Sequence, residues 1–156
     1  MATRKRSTRK PVRKKKAAKR PVDRRKREPS TLRLARVQPG FTVNDLDRSL
    51  RFYRDILGFH VGDLWKQDGQ VLGAEIVAGN VSMYLGQDDF KKGRDRQKGI
   101  GCRIYISTKE SVDEIAARVK ANGGMLDHDP ITQPWGTRDF GITDPDGFKI
   151  TVGSMS

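Results

Sequence analysis

The sequence predicts an α+β fold in which one βαβββ unit occurs twice within residues 31–156, preceded by a basic tail, residues 1–30, that is expected to be disordered. Three observations predict it. All of the net charge lies in the first thirty residues. Two amphipathic helical stretches stand 66 positions apart, from Asp45 to Ser111 at their starts and from Gly58 to Gly124 at their ends. Each stretch has one strand-like segment before it and three after it, and a unit repeated at a fixed interval marks an internal duplication.

The chain of 156 residues holds 32 Lys and Arg and 19 Asp and Glu. Fifteen of those cations and two of the acids, Asp23 and Glu28, fall in residues 1–30, a net of +13, which leaves seventeen of each sign in the remainder. The cations run through Arg13, Lys14, Lys15, Lys16, Lys19 and Arg20 to Arg24, Arg25, Lys26 and Arg27. With Met1, Val12 and Val22 as its only large apolar side chains, the tail cannot bury enough surface to offset the entropy of ordering it. Flexible cations release counterions from nucleic acid and bind it with steep salt dependence. No aromatic residue is interleaved, so the contact expected is independent of base sequence. A merely solubilising tail is the plainer alternative.

The residues beyond the tail suffice for one domain that buries roughly two-thirds of its unfolded surface. A single cysteine, Cys102, excludes an internal disulfide. No apolar run approaches the roughly twenty residues of a membrane span, and no apolar segment follows the basic start as in a secretory signal. A cytoplasmic protein is expected.

In the first unit an alternating segment, Arg36–Val43, precedes a helix whose apolar face is Leu46, Leu50, Tyr53 and Leu57, capped by Asp45 and ended by Gly58. Strands follow at Phe59–Trp65, Val71–Val77 and Val81–Gly86, with turns at Asp68-Gly69 and Gly79-Asn80. In the second unit, Gly101–Ser107 precedes a helix with Val112, Ile115, Ala116 and Val119 on one face, a capping box of Ser111 and Glu114, and a stop at Gly123-Gly124. Its strands are Met125–Ile131, Thr137–Ile142 and Phe148–Gly153, the last hairpin turning at Asp144-Pro145-Asp146-Gly147.

Asp45 to Phe59 (DLDRSLRFYRDILGF) and the pair Trp135-Gly136-Thr137-Arg138-Asp139-Phe140 and Asp144-Pro145-Asp146-Gly147 resemble the first-helix and last-hairpin signatures of the vicinal oxygen chelate superfamily, the glyoxalase and bleomycin-resistance group. With the repeat, the likeness covers about residues 33–154. It implies a curved, eight-stranded mixed sheet enclosing a cleft, and commonly a homodimer. Metal-dependent members of that superfamily carry His, Gln or Glu at four inward positions, one each on strands one, four, five and eight. The metal there chelates or polarises substrate oxygens.

Strand alternation places those positions on this sequence. On strand one Pro39, Phe41 and Val43 back onto the helix, leaving Gln38, Gly40 and Thr42 inward, and Gln38 lies seven before Asp45, the family's usual spacing. On strand four Val81, Met83 and Leu85 are core and the position is Tyr84; on strand eight Phe148, Ile150 and Val152 are core and the position is Thr151. On strand five, counting back from Ser111 gives Ile104, whereas alternation turns Arg103, Tyr105 and Ser107 inward. Burying Arg103 without a partner costs far more than one extra loop residue, so the position is Arg103. Gln38, Tyr84, Arg103 and Thr151 supply no imidazole or carboxylate and include a fixed cation. No metal and no other cofactor is expected, and no glyoxalase or extradiol dioxygenase activity of the usual kind.

His60 and His128 fall on strands away from the family's ligand positions and are expected to face solvent; a metal pair of His128 with Asp127 and Asp129 is the alternative. Cys102 turns away from the cleft and reads as a structural thiol. Trp65, Tyr84, Tyr105, Trp135 and Phe140 are expected to line the cleft, with Gln38, Thr42 and Thr151 between them. Arg103, Arg138 and Lys149 would give it a cationic pole for a carboxylate or phosphate. Core packing accounts equally for any one of the rings, and Asp139 stands beside Arg138 as a partner. The reading is a metal-free binding module for a small organic ligand, anionic and aromatic, in a homodimer tethered to a polyanion by its tail. The alternatives are an enzyme of lyase, isomerase or dioxygenase type with an atypical site, and a nucleic-acid-associated protein using the domain as a dimer scaffold.

Overall fold

The computed structural model describes residues 35–155, so the expectations for the tail, residues 1–30, fall outside the described residues. Eight strands and two helices form in the predicted order. The first unit is β1 (Gly40–Val43), α1 (Leu46–Arg51), β2 (His60–Gln67), β3 (Gln70–Ala78) and β4 (Val81–Gln87). The second is β5 (Arg103–Thr108), α2 (Val112–Ala121), β6 (Leu126–Thr132), β7 (Arg138–Thr143) and β8 (Lys149–Ser154).

Local chemistry sets the helix limits. The Asp45 carboxylate accepts the Arg48 N–H at 2.9 Å and the Ser111 hydroxyl accepts the Glu114 N–H at 3.3 Å, each satisfying a donor that the first turn leaves free. The first helix does not run as α-helix to its end: Phe52–Ile56 form a π-helical turn, and Gly58 then takes φ +79°. The wider turn allows the adjacent rings of Phe52 and Tyr53 both to be buried, which two neighbours on a regular helix face achieve less readily.

The strands divide into two four-stranded sheets with identical order, β1-β4-β3-β2 and β5-β8-β7-β6, each parallel at β1/β4 or β5/β8 and antiparallel elsewhere. In the first sheet Phe41, Val43, Ile76, Met83 and Leu85 point to the helices; in the second, Phe140, Ile142, Ile150 and Val152 do so. These residues, with Leu46, Tyr53, Val112, Ala116 and Val119, make one continuous core. Phe41 stacks on Phe148 with ring centroids 4.2 Å apart, closing the two units on each other.

Polar ties cross the same junction. Tyr53 Oη donates to Asp144 at 3.0 Å, while Asp146 accepts from Asn44 N at 2.8 Å and from Ser49 Oγ at 3.3 Å. The link between the units is anchored by Asp88, which lies 2.7 Å from both Lys98 Nζ and Arg96 Nη2. Because the helix-covered faces meet in one core, the opposite face of each sheet is left open.

Candidate functional site

The open face of the first sheet carries the side chains that alternate against Phe41, Ile76, Met83 and Leu85. Gly40 and Thr42 on β1 stand beside Tyr84 and Gly86 on β4, and Tyr84 stands beside Glu75 on β3. Trp65 reaches over from β2 to sit on Gly73, where a Cβ would come within 2.7 Å of its ring. Its ring meets Tyr84 edge-on at 5.1 Å between centroids. Gln38, just ahead of β1, donates through Nε2 to Ser82 Oγ at 2.8 Å and to Glu75 Oε1 at 3.3 Å, and Ser82 Oγ donates to the same Glu75 oxygen.

The second open face is built alike with different side chains. Ile104 and Ile106 on β5 pack on the core, whereas Arg103, Tyr105 and Ser107 are exposed, Tyr105 to 75%. Arg103 pairs in register with Lys149, and Tyr105 with Thr151. The Arg103 guanidinium donates to Thr151 Oγ1 at 2.8 Å. His128 on β6 lies over Gly141 as Trp65 lies over Gly73, 3.0 Å from where a Cβ would be. Its Nδ1 is 3.0 Å from the Asp129 carbonyl and its Nε2 is 4.0 Å from Asp139.

Of the ten residues expected in the cleft, the structure puts Gln38, Thr42, Trp65 and Tyr84 on the first open face and Arg103, Tyr105 and Thr151 on the second. Three are elsewhere. Phe140 is wholly buried in the core, because β7 presents Arg138, Phe140 and Ile142 to the helix side and Asp139, Gly141 and Thr143 to the open side. Arg138 therefore cannot serve the cleft. It does not pair with its neighbour Asp139 but donates twice to Asp113 at the start of α2, at 2.6 and 2.7 Å, a pair of bonds that holds the Asp113 carboxyl below its ordinary range. Trp135 lies in the β6–β7 turn and is 72% exposed.

The resemblance implied a cleft enclosed by both sheets. In the single chain the strands form two separate four-stranded sheets, and the residues expected in the cleft divide between them. A cavity of about 840 Å³ lies instead on the helix side, lined by Leu57, Phe59, Val81, Ile106, Ile115 and Met155 among others, and contains none of the ten expected residues.

The donor set does not fit a metal. Gln38 and Tyr84 stand on one face, Arg103 and Thr151 on the other, and Arg103 brings a permanent positive charge hydrogen-bonded to the would-be ligand Thr151. Among the described residues no three His, Cys, Asp or Glu side chains are grouped to hold a cation. No step through a metal follows from these residues.

Sequence reasoning missed Glu75, while His128, expected to face solvent, stands partly exposed on the second open face. Glu75 could have been found by extending the alternation to the strands between the four ligand-bearing ones: Ala74 and Ile76 are core, so Glu75 must be open.

Two βαβββ modules with one open, polar and aromatic sheet face each define a protein of vicinal oxygen chelate architecture. The family model of the Glyoxalase/Bleomycin resistance protein/Dioxygenase superfamily matches residues 33–152, and the chain belongs to that superfamily. It is 27% identical over 128 positions to a bleomycin resistance protein of Geobacillus stearothermophilus, covering 72% of this chain and 91% of that one. Among solved structures it resembles a member of the same superfamily from Sphaerobacter thermophilus (TM-score 0.64, 24% identity, 80% of this chain and 100% of the other). It also resembles a lactoylglutathione lyase from Agrobacterium tumefaciens (TM-score 0.57, 23% identity, 77% and 92%). No helix among the described residues is long and apolar enough to cross a membrane.

Proposed function

We propose that this chain binds a small organic molecule between the open face of its first sheet and the open face of the second sheet of another copy, without a metal. The observation that carries the reading is the pair of open faces itself. Each holds exposed aromatic surface, with Trp65 45% and Tyr105 75% exposed, on a sheet whose other side contributes Ile76, Met83 and Leu85 or Phe140, Ile142 and Ile150 to the core. Aromatic rings displayed on a sheet face beside a few fixed polar groups are the ingredients of a small-molecule site that lacks its opposite wall. A second copy supplies that wall, and the homodimer follows. The ring faces suit an aromatic ligand, and Arg103 with Lys149 suits an anionic group on it. The curated relatives carry the name bleomycin resistance protein, which supports a small-molecule ligand.

Sedimentation and native mass spectrometry of the full-length protein test this. A dimer that carries or takes up an aromatic small molecule is expected, and Tyr105→Ser should weaken both. A monomer with no affinity for aromatic compounds would sink the reading.

The charge distribution favours a second element, a tether. Residues 1–30 hold a net of +13 beside a neutral remainder, so nucleic acid or another polyanion is met by the tail and not by the domain. Binding to duplex DNA should fall steeply with salt and vanish when residues 1–30 are removed. Equal affinity without them would exclude the tether.

A further inference from the structure

The duplication makes one difference between the open faces conspicuous. Gly73 pairs with Gly86 as Asp139 pairs with Gly153, so Glu75 and Tyr84 of the first sheet correspond to Gly141 and Thr151 of the second. At these positions the first face has a carboxylate and a ring, Glu75 and Tyr84, where the second has a glycine and a hydroxyl, and the carboxylate of the second face, Asp139, stands instead at the position of Gly73. On strand geometry alone nothing requires a charge at Glu75, and half-burying one without a counter-ion is unfavourable.

The carboxylate is also held in a particular way. Both of its protein donors, Gln38 Nε2 and Ser82 Oγ, go to Oε1. Oε2 receives no donor among the described residues and rests above Gly62, 3.1 Å from where a Cβ would stand. None of the ion pairs among the described residues includes Glu75. One oxygen is thus fixed by the protein, and the other is presented over Gly62, which has no side chain, while Gly73 makes room for the Trp65 ring beside Tyr84. Tyr84 stands beside Glu75 in register, and Trp65 lies against Tyr84. A carboxylate oxygen with aromatic rings next to it is suited to an alkylated ammonium, because the anion supplies the charge and the ring quadrupoles attract the alkyl groups that spread it.

We infer that Glu75, Trp65 and Tyr84 form a subsite for an organic ammonium group of the ligand. The inference rests on the proposed binding role of the open faces and makes the ligand zwitterionic, with its cation on the first sheet and its anion near Arg103 and Lys149 of the second. Gln38 and Ser82 are positioning residues that orient the carboxylate.

Calorimetric titration of the full-length protein with benzyltrimethylammonium, benzyl alcohol and benzoate tests it, using wild type, Glu75→Gln and Trp65→Leu. The ammonium probe should bind at least tenfold tighter than benzyl alcohol. That preference should disappear in Glu75→Gln, which keeps shape and hydrogen bonding, and fall in Trp65→Leu. If all three probes bind alike, or if Glu75→Gln retains the preference, the ammonium subsite is overturned while the aromatic site stands. If no probe binds, both are overturned. If Glu75→Gln dissociates the dimer and leaves probe binding unchanged, the carboxylate instead meets a group on the second copy, and the inference fails.

Discussion

Tyr53 donates its hydroxyl proton to Asp144 across a sequence separation of 91 residues, joining the end of the first helix to the last hairpin. The other Asp144 oxygen accepts the N–H groups of Asp146 and Phe148, at 2.9 and 2.8 Å. Burial pushes both groups upward, the Tyr53 phenol because it is enclosed and faces Asp144, and the Asp144 carboxyl in spite of the hydrogen bonds that favour its ionised form. Tyr53→Phe removes the only side-chain donor to Asp144 among the described residues and leaves a desolvated oxygen unsatisfied. A loss of about 1–3 kcal/mol is expected in chemical denaturation, with little change in the slope of the transition.

Gly99 packs so closely on the final hairpin that a Cβ there would lie 2.1 Å from the Gly147 carbonyl, and its φ is +71°. Gly101 shares the left-handed conformation, with φ +68°, but has open space beside it. Gly101→Ala therefore carries only the conformational penalty, about 1 kcal/mol. Gly99→Ala adds a collision with backbone that cannot rotate away, and is expected to cost roughly 3 kcal/mol or more. Urea midpoints of the two variants separate the contributions.

What the sequence disclosed divides along local and non-local lines. The helices were legible because Asp45, Ser111 and the spacing of Leu46, Leu50, Tyr53 and Leu57 act within a few residues of each other. The faces of β5 were legible because alternation is obligatory once Ile104 and Ile106 are taken as core. The same rule applied to β7 turns Phe140 into the core and Arg138 away from Asp139, since neighbours on a strand point to opposite sides. Reading Trp135 to Phe140 as one aromatic and cationic turn overrode that periodicity. The bonds Gln38–Glu75 and Arg138–Asp113 bridge 37 and 25 residues and have no local signature. Nor does the joining of the helix-covered sides of both sheets in one core.

Asp88 makes a pH-dependent contribution of definite sign. Its carboxyl is held well below the ordinary range by hydrogen bonds from Lys98, then from Arg96 and the Phe90 N–H. A folded-state value below the unfolded one means that the group favours the fold above pH of about 4 and loses that contribution as the pH falls further. Asp144, with its raised carboxyl, works in the opposite direction, so the wild-type acid limb alone mixes the two. The difference between wild type and Asp88→Asn isolates Asp88. The variant should be the less stable at pH 7, and the gap in melting temperature should close on acidification from pH 5 toward pH 2, read by circular dichroism. A gap that is constant or widens toward low pH would assign the ties of Asp88 no electrostatic role.

Arg103 and Arg138, which the sequence alone places together with Lys149 in one cationic pole, should separate cleanly on mutation. Arg138 is spent on Asp113, on the helix side of the second sheet, and the pair is well exposed, so Arg138→Ala should lower stability only slightly and leave ligand binding as it was. Arg103 stands on the open face, tied among the described residues to the neutral hydroxyl of Thr151 alone, with Lys149 beside it in register. Arg103→Ala should leave stability near wild type and weaken an aromatic carboxylate such as benzoate by roughly tenfold, the loss of one charge-assisted contact. Arg103→Lys should recover part of the affinity by restoring charge without the planar fork. Calorimetric titration of the three variants decides it: equal losses at Arg103 and Arg138 would mean that the side of β7 facing the helices, and not the open face, carries the anion.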